Sequence, residues 1–150
     1  RQALARQPAS GLMHRNLGDA LARQGRAEEA RAEWKRGADL SAAFLRVNPR
    51  KVSEIVNAAI CRAKLGERAA ALEAAAAAVK VAPGDREALF GAAVVQALVG
   101  DPATGLRYLG QALEKGQSPA RAARDDDLAN LRALPGYPDL MARYAPRKGG

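Results

Sequence analysis

The sequence predicts an all-α fold, a solenoid of helix–turn–helix units closed by a C-terminal helical cap. Three observations predict it. The 150 residues hold 36 alanines and 17 leucines against 10 valines and isoleucines together, and Ala and Leu suit helices whereas β-branched residues favour strands. Gly66 and Gly100 are 34 residues apart, as are Pro49 and Pro83, and a fixed period of that size marks stacked repeats. Within each period one helical pattern runs to the glycine and a second runs on to the proline.

The elements follow in order. Residues 1–9 read as the end of an earlier repeat, with Ala3 and Pro8 in register with the next unit. The first full unit, 10–49, opens at His14-Arg15-Asn16-Leu17-Gly18, turns at Gly25 and places Ala30, Trp34 and Gly37 on one helical face. Gly25 and Gly66 are 41 residues apart, seven more than the period. Seven residues make nearly two whole turns, so a helix lengthened by seven keeps its buried face in phase. Ala27–Val47 has no proline, which puts the extension in the second helix, and Asn48-Pro49 ends it because a residue before proline avoids helical angles. The chain should therefore carry its longest helix there.

Units 50–83 and 84–117 keep Ala71 and Ala78, then Leu109 and Ala112. After Gly116 the period is lost. Ser118-Pro119 is a helix start, with an N-cap serine and proline at the first helical position. Asp125-Asp126-Asp127 opens a short helix carrying Leu128, Leu131 and Leu134, and Pro138-Asp139 opens a last one. A solenoid needs an end cap to cover its final apolar edge, and residues 118–145 read as that cap, with 146–150 a tail.

The spacing of Leu17, Gly18, Ala30 and Trp34, followed by a closing proline, resembles the tetratricopeptide repeat. His14 and Leu21 stand where that pattern has larger aromatics. The resemblance implies a right-handed superhelix, a concave groove lined by each unit's first helix, and a protein-interaction role. It also implies core positions at Leu17 and Leu21, with Trp34 as a large anchor packed against them whose truncation would cost about 3–5 kcal/mol. The C-terminal region is similar to the terminus of repeat regions attached to bacterial Ser/Thr kinases and related signalling proteins, which implies the C-terminal part of a larger regulatory protein.

Little in the chain suits catalysis. The single His14 and single Cys61 exclude His clusters, internal disulfides and cysteine zinc sites. Cys61 sits among Ala58, Ala59 and Ile60 and reads as a small buried hydrophobe. No glycine-rich phosphate loop occurs, no catalytic, metal or cofactor site is expected, and Asp125–Asp127 lacks the complementary ligands of a cation loop. No apolar run approaches a membrane span and no signal peptide is visible, so the expected location is cytoplasmic.

Binding is the better reading. The expected groove carries Arg15, Asn16, Asp19 and Arg23 from the first unit, Asn57, Ile60 and Lys64 from the second, and Phe90 and Val94 from the third. The resemblance gives the Asn16 and Asn57 column the task of holding a ligand's backbone amides. Arg23 and Lys64 form a basic column that favours an acidic protein or peptide. Ile60, Phe90 and Val94 make an apolar late stretch, either open to an apolar side chain or covered by the cap. The clamp for carboxyl-terminal peptides is incomplete, because Asp19 replaces an asparagine and Glu87 and Gly91 replace basic residues. Two other readings remain: nucleic-acid binding, from the net charge of +8, against which the interspersed acids count, and self-association through the amino-terminal edge.

Overall fold

The computed structural model describes residues 10–145. The expected earlier-repeat end at 1–9 and tail at 146–150 lie outside them. Three antiparallel helix pairs stack in chain order: α1 Gly11–Arg23 with α2 Ala27–Val47, α3 Val52–Lys64 with α4 Arg68–Val81, and α5 Arg86–Val99 with α6 Pro102–Glu114. Neighbouring pairs meet through α2 on α3, α4 on α5, and α3 on α5. Then come α7 Pro119–Arg124, a 3-10 turn Asp126–Leu128, α8 Ala129–Arg132 and α9 Gly136–Tyr144. The all-α solenoid is thus observed, and α2, at 21 residues, is the longest helix among the described residues.

Local chemistry explains the boundaries. Ser10, Asp85, Asp101 and Ser118 each accept an amide of the following first turn through the side chain, which satisfies a donor that the helix itself leaves unpaired. Gly25 and Gly66 take φ of 78° and 79°, a left-handed conformation that closes α1 and α3. Gly100 does not repeat this, with φ −116°. There the Gln96 side chain accepts the Asp101 amide instead, at 2.9 Å. The last helix begins at Gly136 rather than at Pro138, because Pro138 still sits in its first turn, where a missing N–H costs nothing.

Small residues set the helix crossings. Ala30, Ala71, Ala78 and Ala112 are fully buried. A Cβ on Gly37 would stand 2.9 Å from the Gly11 carbonyl and 3.0 Å from Cys61 Sγ, so α2 passes α1 at backbone distance and meets α3 at the Cys61 sulfur. The core thickens toward the C-terminus. From Ala88 to Val95 every residue of α5 is buried, since α3, α4, α6 and the 3-10 turn all pack on it. Leu128 and Leu131 of the cap are also fully buried.

Two sequence expectations are corrected at the opposite end. Leu17 is not in the core but 48% exposed. Trp34 packs on α1 at Gly18, whose added Cβ would come within 2.6 Å of the ring, and its Nε1 donates to Asp19 Oδ1 at 2.9 Å. Trp34 is half-buried, which brings the expected cost of truncation below that of a fully buried indole. The reason is positional. Glu54, Asn57 and Cys61 of α3 are covered by α2, and the matching face of α1, with Met13, Asn16 and Leu17, is exposed among the described residues.

The glycine crossing gives a direct test. Gly37→Ala gains helix propensity of about 1 kcal/mol but forces back the Gly11 carbonyl and the Cys61 side chain, at a cost of about 1–3 kcal/mol. A net loss in chemical denaturation is expected, whereas a gain would show that α1 and α2 separate freely.

Candidate functional site

The first helices α1, α3 and α5 share one face, and two hollows open on it. One, of about 430 Å³, is lined by Asp19, Ala22 and Arg23 of α1, Trp34, Lys64, Leu98, and Arg124–Asp127 of the cap. The other, of about 330 Å³, is lined by Ser10, Leu12 and Arg15 of α1, Ser53–Ile60 side chains of α3, Glu87, Phe90 and Gly91 of α5, and Arg121. Successive turns of α1 therefore serve the two hollows, because residues three and four apart share a helical face.

The cap enters this face. Arg121 of α7 lies with its guanidinium carbon 4.5 Å from the centre of the Phe90 ring, within cation–π range. Asp127 Oδ2 meets Lys64 Nζ at 2.9 Å. The same ammonium bonds Asp19 Oδ1 at 2.5 Å and stands 5.6 Å from the Trp34 ring centre. Lys64 thus ties α1, α3 and the cap together, with its side chain only 7% exposed. Burial pushes the Asp127 carboxyl above its usual range, while Lys64 pulls it down. Asp125 Oδ1 accepts the Asp127 amide, so two of the three consecutive aspartates are engaged within the protein.

This geometry sorts the residues read from the sequence. Arg15, Asp19 and Arg23 line the hollows, and Arg23 is exposed. Asn16 is exposed but lines neither hollow. Asn57 is 3% exposed and its Nδ2 donates to Ser41 Oγ at 3.0 Å, while Ser41 donates to Glu54. That Nδ2 holds α2 to α3, while the buried Oδ1 of the same amide has no hydrogen-bond partner among the described residues. Ile60, Phe90 and Val94 are buried, so of the two alternatives for the apolar late groove the covered one is observed. Lys64 is not a free cation, since two carboxylates already hold it. The basic column is corrected accordingly: the first hollow has carboxylates at Asp19 and Asp125–Asp127 against Arg23, Lys64 and Arg124.

Sequence reasoning missed Arg121 and Asp127 as groove residues. Their own positions carry no signal, because only the fold brings the cap back onto the first helices. It also missed the His14–Glu33 pair, 2.6 Å between Nδ1 and Oε1, which joins α1 to α2 where packing alone was expected. The His14 bond holds the Glu33 carboxyl below its usual range, assisted by Arg36. Cys61 behaves as read: it is fully buried, and desolvation pushes its thiol up to about 12. No described helix is long and apolar enough to cross a membrane.

Residues 1–46 match the family model described as tetratricopeptide repeat, a stretch that contains all of α1 and all but the last residue of α2. No curated protein matches the chain.

Two outcomes test the site's chemistry. Lys64→Ala leaves Asp19 and Asp127 facing each other without their cation, and removing one partner of a buried ion pair costs about 3–5 kcal/mol. A thermal midpoint within error of wild type would show that water screens the pair. Cys61 should resist thiol reagents at pH 8 in the folded protein and react fully in denaturant, because the thiolate is the nucleophile and stays scarce below its raised pKa. Rapid labelling under native conditions would contradict the burial.

Proposed function

We propose that this chain, whose residues 1–46 match the tetratricopeptide repeat model, is a non-enzymatic module that holds a peptide or protein segment along the face shared by α1, α3 and α5. Repeats of this family generally mediate protein–protein interaction. The observation that carries the reading is the pair of adjoining hollows, lined on successive turns of α1 by Leu12 and Arg15 and by Asp19 and Arg23.

The hollows are concave and mix apolar walls with a few directed polar groups, the usual make-up of a recognition site. Arg15 and Arg23 give an acidic ligand residue a place to bind, and the carboxylates beside them give one to a basic residue. The ligand best matched is therefore a segment of mixed charge rather than a uniformly acidic one.

The test is the double charge reversal Arg15→Glu with Arg23→Glu, two positions whose side chains reach the open face. Partners recovered with the wild-type protein from its source cell should bind the folded variant about ten-fold more weakly or worse in calorimetry, as loss of charge complementarity at an interface implies. Unchanged affinity would move the site off this face.

A further inference from the structure

The two hollows are separated by a stretch of the chain itself, and that stretch reads as an occupant. From Ser118 to Leu128 the protein crosses the face of α5, laying Arg121 over Phe90 and, six residues later, setting Asp127 on Lys64. Beneath Arg121 lies Phe90, and Ile60 and Val94 are buried in the same apolar cluster, each of the three at most 6% exposed. These three would form an apolar floor continuous with the open hollows if the stretch were lifted.

The occupying stretch is built from short pieces. α7 has 6 residues and the 3-10 turn has 3, lengths at which a helix has little stability of its own. It is entered through Gly116, at φ 101°, and Ser118-Pro119. Its anchors are few: the Lys64 pair, the Ala122 carbonyl, which accepts from Arg132 Nη1 at 3.2 Å, and the buried side chains of Ala122 and Leu128. Segments with these properties open locally before the fold as a whole does.

We propose that residues 118–128 are a strap that occupies the ligand groove in cis, and that the full groove takes a partner segment of the same chemistry. Such a segment carries a cation for the Phe90 ring and a carboxylate for Lys64 six residues further on, with small or apolar residues between. With the strap closed, Ile60 and Phe90 are offered only at the wall of the second hollow; with it open, the apolar floor around them and Val94 is offered whole. This deepens the function proposed above and rests on it for the groove's being a ligand site.

The probe is a synthetic peptide of residues 117–132, added in trans to the full chain. A tethered segment competes at an effective concentration of about millimolar, so wild type should capture the peptide poorly. The variant Arg121→Ala with Asp127→Asn loosens the strap at both ends of its contact, and should capture the wild-type peptide about a hundred-fold more tightly, as loss of a buried charge partner implies. Adding Lys64→Gln to that variant should reduce the capture again. Amide exchange gives a second, independent readout: in wild type the strap should exchange faster than α3 to α6, and faster still in the loosened variant.

Capture no better by the loosened variant than by wild type, with its circular dichroism intact, overturns the proposal. So does a wild-type strap that exchanges only with global unfolding. Failure of the Arg15 and Arg23 reversal to weaken partner binding would instead count against the function proposed above, since both positions lie on α1 and not in the strap.

Discussion

Close backbone approach at small residues is the constraint on which the rest of the structure depends. With Trp34, Phe44 and Phe90 as its large aromatics beside three tyrosines, the chain cannot fill wide gaps between helices. It instead brings helices together until Gly11 meets Gly37 and Gly91 meets Val56. At that spacing alanine suffices as a core residue, because dispersion falls off within about an ångström of contact. The same spacing leaves no room to rotate a helix, which fixes the faces that α1, α3 and α5 turn to the groove.

Charge is organised more locally than the total of +8 suggests. Arg26 with Glu29, Arg62 with Glu67 and Lys35 with Asp39 are exposed surface pairs of the kind that contribute little to stability. Lys64 is different in kind, since its two carboxylates come from α1 and the cap and it lies out of water. The groove therefore receives almost none of the excess positive charge, and Arg15 and Arg23 act there against nearby acids.

The fold was legible because its signal is periodic. Glycines and prolines 34 residues apart locate the turns, and the seven-residue excess locates the long α2 without any knowledge of packing. Ser118-Pro119 names its own helix start. What the period cannot show is the direction taken once it stops. The cap's return across α5 turned Phe90 and Val94 from groove residues into core and took Lys64 out of ligand reach. Asn57 is a subtler case: its position on α3 was read correctly, but Ser41, sixteen residues earlier and on another helix, decides what the amide does. Leu17 went the other way: among the described residues its side of α1 is exposed.

The burial of Lys64 has a consequence for covalent chemistry at lysines. Acylating enzymes and amine-reactive cross-linkers need an accessible, deprotonated amine. Lys35, Lys51, Lys80 and Lys115 are exposed and open to both, whereas the Lys64 amine is bonded to two carboxylates and shielded from solvent. The charge state of the surface can thus be rewritten by acetylation while the junction of α1, α3 and the cap keeps its cation.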